Sequence, residues 1–404
     1  MKLFTKPATT LAEYGAFASL SRALAMKPND VVNEISLSGL RGKGGAAFPT
    51  GKKMGFVAAA SAGEKFVVCN ASASEPGNCK DEWLAANHPF AVLEGLLIAC
   101  RAVGARTGII ATKRSKEEII AAMTNAASQL EKSGALPKGI TLEIKAGPSH
   151  YLTGEETSLI NFINGKPAIP SRRPPYPAQS GVHAMPTLVN NCETLANLPS
   201  ILARGGVEYA KTGTLESKGT MLLCTAGMAE KKIVEVEFGT PLAAVAADAG
   251  IAGGCKACLM SPAGGFLPAS LFNEPLSSEG YARHGVGLGS GGAIFFPEDC
   301  SIVRQALLLA KFFGKWSCRQ CPACSEGMGG EAVATLERLC EGNGNPADVK
   351  KLHELCNATD GTICGLAPGA ARMLSTALRH FPQEFNECAA GRQAQQGFLW
   401  AEGL

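Results

Sequence analysis

The 404-residue sequence has no apolar run near the ~20 residues that a membrane-spanning helix needs, so insertion into a bilayer is not expected. Its most apolar stretch, Phe90 to Cys100, is short and reads as a buried helix. Strong charge of one sign is also missing. Thirty-eight Lys and Arg against 35 Asp and Glu leave a formal net charge of +3, too little for an electrostatic grip on nucleic acid. The first ten residues carry two lysines but no long apolar segment follows, so a secretory leader is not expected. The cytoplasm is the expected location, with any membrane association made peripherally through partners. With no leader expected, a large chain and an odd count of 15 cysteines, a disulfide framework is not expected. No internal repeat is visible. Hydrophobic content of 46% with 18% charged residues is that of a globular chain, and its length calls for two to four domains.

What is present is a cysteine pattern. Cys318, Cys321 and Cys324 form a CxxCxxC run, and Cys364 follows 40 residues later in Thr362-Ile363-Cys364-Gly365. Three thiolates around one point, closed by a distant fourth, is the spacing of a [4Fe–4S] cluster, a carrier of single electrons. Structural zinc is the competitor, but it favours two paired ligand groups, and here the ligands divide three and one. Cys69, Cys79, Cys100, Cys192, Cys224, Cys300, Cys340, Cys356 and Cys388 read as buried small apolar residues of a reducing compartment. Cys255 and Cys258 make a second CxxC with no partner pair and read as structural.

Residues 11–36 have helical periodicity. Lys65 to Asn70, Thr107 to Thr112 and Ile140 to Lys145 read as buried strands, with helices over 88–103 and 115–132 between them. Strand and helix in alternation predict a parallel sheet covered by helices, with ligands at the carboxyl ends of its strands, where Asn70 to Gly77 lies. The proline-rich stretch 166–187 predicts an ordered loop over the sheet. From about 215 to 296 the texture is that of a small strand-rich domain, and from Glu298 onward it is helical, with the cysteine run opening one helix.

A glycine-dense loop, Gly39 to Lys53, precedes the first strand. It fits neither the Rossmann fingerprint nor the Walker pattern. Its glycines with Arg41, Lys43, Lys52 and Lys53 are consistent with a phosphate cradle or with an exposed basic turn. Read beside a one-electron carrier, a cradle on an α/β domain points to a flavin mononucleotide, which splits electron pairs into singles.

The run Gly39-Leu40-Arg41-Gly42-Lys43-Gly44-Gly45-Ala46-Ala47-Phe48-Pro49-Thr50-Gly51 resembles the FMN loop of the NADH-binding flavoprotein subunit of respiratory complex I (the NuoF type). Gly154-Glu155-Glu156-Thr157, Val189 to Leu195, Ser317 to Cys324 with Thr362-Ile363-Cys364, and Arg379-His380-Phe381 with Glu384-Phe385 resemble the same family in the same order. The module also occurs in NAD-reducing hydrogenases, formate dehydrogenases and electron-bifurcating complexes.

The resemblance implies an α/β fold with three parts: a Rossmann-like FMN-binding domain, a small ubiquitin-like SLBB domain, and a C-terminal helical bundle carrying the iron–sulfur cluster. The expected division is 1–64 for the N-terminal helix and flavin loop, 65–214 for the FMN domain, 215–297 for the SLBB domain and 298–404 for the bundle. It places Arg41, Gly42, Lys43, Gly44, Lys53 and Asn70 at the flavin. Tyr151, Gly154 and Glu155 fall on its wall, and Asn190, Asn191 and Thr194 near its phosphate. It places Phe48, Phe56 and Tyr176 beside the rings of NAD(H) or NADP(H), and Glu75, Glu156 and Arg173 at the polar contacts of that dinucleotide. Cys318, Cys321, Cys324 and Cys364 hold the cluster, and no acid–base catalyst is implied. The implied partners are a thioredoxin-like [2Fe–2S] subunit and a larger iron–sulfur or catalytic subunit.

The chain also departs from the family pattern. Ser72 and Ala73 stand where two carboxylates are usual, Ala47 where glycine is, Tyr176 for phenylalanine, Arg173 for lysine, and Glu82 for arginine. A less negative pocket is compatible with NADPH as well as NADH. It is also compatible with a relay subunit that has lost nicotinamide turnover and exchanges electrons only with proteins.

Overall fold

A computed structural model describes residues 2–72 and 74–401. Ala73, one of the two lost-carboxylate positions, lies outside the described residues. The chain forms two compact units, Met1–Ser74 with Cys79–Leu222 and Glu235–Phe238, and Glu75–Asn78 with Leu223–Val234 and Gly239–Leu404.

The first unit is built on four parallel strands, β1 (Phe66–Asn70), β2 (Thr107–Lys113), β3 (Thr141–Gly147) and β4 (Thr187–Asn191), in the order β3-β2-β1-β4. Three of these are the strands expected from their apolar runs; β4 is the addition. The periodic stretch 11–36 is not one helix but three, α1 (Leu11–Tyr14), α2 (Ala18–Ala25) and α3 (Pro28–Leu37). Gly15 ends the first at a positive φ of 83°, which glycine adopts without strain. Pro28 opens the third at the position where a missing N–H costs nothing.

The loop then leads into α4 (Thr50–Ala59), and α5 (Lys80–Asn87) follows β1. The helix α6 (Pro89–Val103) is buried on nearly every side, as its all-round apolar sequence requires. The amphipathic α7 (Glu117–Lys132) buries only one stripe. On one sheet face, Phe66, Val68, Ile109, Ala111 and Val189 form a core with Leu159 and Ile160 of α8 (Glu156–Ile163). Three helices, α9 (Cys192–Ala196), α10 (Leu198–Arg204) and α11 (Gly206–Tyr209), follow β4. Among the described residues, no single helix is long and apolar enough to cross a membrane; α5 and α6 pass such a test only together, and they are bent by 97°.

The second unit holds most of a mixed five-stranded sheet made of β5 (Thr220–Gly227), β6 (Ile233–Glu237), β7 (Cys255–Leu259), β8 (Phe266–Pro268) and β9 (Gly292–Pro297). Its order is β6-β5-β9-β7-β8, with β5 and β9 parallel and β7 antiparallel to both neighbours. With α12 (Leu242–Asp248) after the first two strands, this is the strand order of a ubiquitin-like domain. A short α13 (Ser278–Ala282) precedes β9. The helices α14 (Ile302–Lys315), α15 (Ala332–Cys340), α16 (Pro346–Asn357), α17 (Leu366–His380) and α18 (Pro382–Ala389) form the C-terminal bundle. The cysteine run does not open an ordinary helix: Ala323–Glu331 winds in wide π-type turns, a form found chiefly at functional sites.

Candidate functional site

The glycine loop folds back on itself. Gly42 N–H donates to the Phe48 carbonyl at 2.9 Å and Thr50 N–H to the Leu40 carbonyl at 2.9 Å. Gly51 starts α4 against α3 so closely that a Cβ would lie 2.3 Å from Ser36 Oγ and 2.6 Å from Ser36 Cα, and only glycine fits. Ala47, by contrast, sits at φ +50°, a conformation that costs a non-glycine residue roughly 1–2 kcal/mol. The departure from glycine there is a strained one. The loop lies against the turn after β4: Lys43 N–H donates to Thr194 Oγ1 at 2.9 Å, and a Cβ on Gly44 would be 3.3 Å from Asn191 Cβ.

Beneath this junction is a group of buried charges that sequence reasoning did not find. Lys80 and Glu193 are each 1% exposed and pair at 2.7 Å. Lys80 Nζ also donates to the Lys43 carbonyl at 2.5 Å, and Glu193 accepts from Leu222 N–H at 2.8 Å. Removing one member of such a pair leaves an uncompensated buried charge, which costs about 3–5 kcal/mol. Lys43 turns its own ammonium inward, 4.1 Å from the centre of the Phe238 ring, and burial lowers its pKa to about 8. Asp81 accepts from Asn191 Nδ2 at 3.0 Å through both oxygens. The available signal was Lys80-Asp81, two adjacent opposite charges opening a helix, and Glu193 inside a motif already singled out.

Burial pushes the Asp81 carboxyl up to about 6, with Lys80 and the Asn191 amide opposing. A folded-state pKa raised above the unfolded one means that the protonated acid favours the fold. The stability it contributes is full below the unfolded pKa of 3.8 and is lost as pH rises through about 6. Relative to Asp81→Asn, the wild-type protein is therefore expected to gain stability as pH falls from 7 to 4.5. Urea denaturation of both proteins at those two pH values checks this; a constant difference would refute it.

At the end of β1, Asn70 Nδ2 donates to the Gly154 carbonyl at 2.8 Å, beside Tyr151 in a short 3-10 turn. Ser72 is buried, its hydroxyl donating to the Ala111 carbonyl at 3.3 Å. Glu155 caps α8, one carboxylate oxygen accepting from Thr157 N–H at 2.8 Å and Ser158 N–H at 2.9 Å, an arrangement worth about 1 kcal/mol. Lys53 pairs with Glu156 and donates to the Val189 carbonyl at 2.7 Å. Arg173 lies 3.5 Å from Glu155 and 3.7 Å from Glu156, so Lys53, Glu155, Glu156 and Arg173 share one network. Arg41 is turned to Glu216, donating to its carbonyl at 3.1 Å. Glu82, where arginine is usual, pairs with Lys116. Phe48, Phe56 and Tyr176 expose their rings, at 43%, 53% and 55%. Glu75 belongs to the second unit, where its carboxylate accepts from Ser290 Oγ and from Ala263 N–H at 3.3 Å.

In the second unit, Cys321 Sγ accepts from Ile363 N–H at 3.3 Å, which draws the Cys364 turn to the cysteine run. Burial pushes the Cys324 thiol up, the Ser317 hydroxyl opposes this, and neighbouring Cys318 and Cys321 add to it. Gln320 Nε2 lies 3.3 Å from Cys318 Sγ. Among the described residues, no three His, Cys, Asp or Glu side chains close on a single ion. A cubane makes no such demand, because each thiolate binds a different iron. The other CxxC is interrupted by a bulge between Cys255 and Ala257, and Cys258 packs at 3.8 Å against Met260 Sδ.

The residues present fit both groups. Beside the glycine loop, the buried Asn190 Nδ2 and Thr50 Oγ1 have no partner, which suits a polar ligand at the strand ends. Four thiols, two of them with a side-chain or backbone donor to the sulfur, are the donor set of an iron–sulfur cluster.

Comparison with known proteins agrees with both. Residues 35–200 match the Nuo51 FMN-binding domain, and residues 304–388 match the NADH-ubiquinone oxidoreductase-F iron-sulfur binding region. The second F-type subunit of NADH-quinone oxidoreductase of Rhizobium meliloti is 33% identical over 393 residues, covering 92% of this chain and 91% of the relative. The F-type subunit of the Escherichia coli K12 enzyme is 33% identical over 376 residues, covering 89% and 84%. A chain of NAD+-reducing [NiFe]-hydrogenase in the H2-reduced state superposes with a TM-score of 0.85 at 29% identity, covering 95% of this chain and 68% of that one. The chain belongs to the NuoF-type family of NADH-quinone oxidoreductase subunits, the electron-transfer subunits that carry FMN and a [4Fe–4S] cluster.

Proposed function

We propose that this oxidoreductase subunit binds FMN between the glycine loop and the Asn190–Thr194 turn, takes hydride from NADH or NADPH, and passes electrons singly to partner iron–sulfur proteins. The observation that carries the flavin site is the unpartnered, buried Asn190 amide beside a loop held to Thr194. Arg41, Gly42, Lys43, Gly44, Lys53, Asn70, Tyr151, Gly154, Glu155, Asn191 and Thr194 complete that site. Cys318, Cys321, Cys324 and Cys364 hold the cluster. Bound FMN supplies acceptance of a hydride and release of single electrons to the cluster.

The chain's own residues supply binding and orientation. The exposed Phe48, Phe56 and Tyr176 offer faces on which the base and nicotinamide stack. Glu156 accepts from ribose hydroxyls, and Arg173 steers that carboxylate. Hydride transfer requires alignment of two rings and no acid or base, so geometry is the protein's main contribution. The functional division is 1–64, 65–214, 215–297 and 298–404. The partners are a thioredoxin-like [2Fe–2S] subunit and a larger iron–sulfur or catalytic subunit, and membrane association is peripheral, through them.

One observation favours the relay reading, in which nicotinamide turnover is lost. The Glu75 carboxylate, expected at the dinucleotide, is engaged by Ser290 and Ala263. Anaerobic titration of the FMN-replete protein separates the readings. Bleaching of the flavin absorbance by NADH or NADPH is the expected result. Bleaching by neither, with dithionite bleaching it fully, would leave the relay reading.

A further inference from the structure

The first turn of α5 holds two adjacent residues of opposite charge, both 1% exposed, and they reach to two different chain segments. Lys80 extends to the glycine loop, at the Lys43 carbonyl, and to Glu193 in the first turn of α9. Asp81 extends to Asn191, the residue that caps α9 by accepting from Glu193 N–H at 3.0 Å. Glu193 is in turn fixed by Leu222 N–H. The loop and the turn touch each other directly at Lys43 N–H to Thr194 Oγ1 and in the packing of Gly44 on Asn191.

We infer that Lys80 is a positioning residue for the flavin: with Glu193 it forms a buried clasp that sets the gap between the glycine loop and the Asn190–Thr194 turn. This rests on the FMN site proposed above. The assignment follows from three features. Lys80 is 1% exposed, with its ammonium turned to Glu193 and away from solvent. Its ammonium bridges one backbone carbonyl and one carboxylate, so it fixes a main-chain position as well as balancing a charge. The carbonyl it holds belongs to the same residue whose N–H is held by Thr194, so the two peptide groups flanking Lys43 are both pinned. A lysine used this way makes the gap part of the resting structure, and binding then incurs little loss of loop freedom.

The test is FMN affinity, read from quenching of flavin fluorescence on rebinding to deflavinated protein. Thermal melting and the cluster's low-temperature EPR signal serve as the readouts of fold. Lys80→Met is expected to weaken FMN binding by about tenfold or more, far below its melting temperature and with the cluster signal intact. Lys80→Arg is expected to recover most of that loss, because it restores both the charge and a donor. Lys256→Met, which breaks a partly buried pair with Glu384 in the second unit, controls for loss of an ion pair as such and should leave FMN affinity unchanged.

If Lys80→Met fails to fold, Lys80→Met with Glu193→Gln removes both charges, and the weakened affinity should persist in it. Wild-type affinity in either variant overturns the inference. So does a loss that follows melting and cluster content in parallel and is not recovered by Lys80→Arg. A wild-type protein that rebinds no FMN at all would instead refute the flavin site itself.

Discussion

Replacing Cys321 by serine is expected to abolish the iron–sulfur cluster while leaving the flavin in place. In the proposed ligand set, the Cys321 sulfur is held by Ile363 N–H, one residue before Cys364. Loss of that sulfur removes a ligand and also the link between the cysteine run and the distant fourth thiol. An alkoxide is a poor substitute for a soft thiolate on iron. The visible absorbance of the cluster and its EPR signal on reduction should both vanish, and FMN content should stay near that of the wild type. Cys356→Ser is the matched control: that thiol, in α16, is pushed up to about 12 by burial and belongs to no ligand set. A Cys321→Ser protein that kept a full cluster would remove Cys321 from the ligand assignment.

The second large effect comes from a glycine with no chemistry. Gly95 lies in the middle of α6, where a Cβ would stand 1.9 Å from the Leu195 carbonyl oxygen and 2.4 Å from its carbon. Both are backbone atoms of α9, so no side chain can swing away. Gly95→Ala is therefore expected to cost about 3 kcal/mol or more, at or above the top of the usual range for overpacking. Because α9 carries Glu193 and Thr194, the same substitution should lower FMN occupancy. Gly55→Ala, in α4, is the opposite case. Its Cβ would meet nothing nearer than Val32 Cγ1 at 4.0 Å, and replacing a helical glycine there should stabilise by up to about 1 kcal/mol. Denaturant midpoints of the two alanine variants should thus move in opposite directions; movement in the same direction would contradict the packing argument.

Much of this architecture could be read from residue order alone, and the misses have physical causes. The runs at 66–70, 107–113 and 141–147 are bounded by polar turns and separated by helices, so period and length identify them. The strand β4 was hidden because it is only five residues, Thr-Leu-Val-Asn-Asn, mostly polar, and follows a proline-rich excursion. Residues 11–36 keep one apolar stripe across two chain breaks, and periodicity cannot register a break that preserves the stripe. Gly15 and Pro28 carried that information locally.

At the site, the glycines and cysteines were legible because their spacing is itself the chemistry. The buried clasp was not, since a lysine and a glutamate 113 positions apart reveal nothing of each other until the sheet brings them together. Lys43 shows the converse limit. Its place in a basic, glycine-rich loop suggests a hand held out to phosphate, whereas its ammonium faces Phe238.

The placement of β4 has a consequence for how the molecule is born. Asn70 and Asn191 are neighbours across the β1–β4 pair but 121 positions apart in the chain. At synthesis rates of about 5–20 residues per second, β1 waits roughly 6–24 s for the strand that completes its edge. During that interval β1, β2 and β3 can assemble, but the open flank of β1 is an unpaired, apolar strand edge, the kind that recruits other chains. Arrival of β4 pairs that flank, becomes the outer strand itself, and carries the Asn190–Thr194 turn to the sheet in one event. The step that covers the apolar flank of β1 is therefore also the one that brings together the two segments of the proposed flavin site.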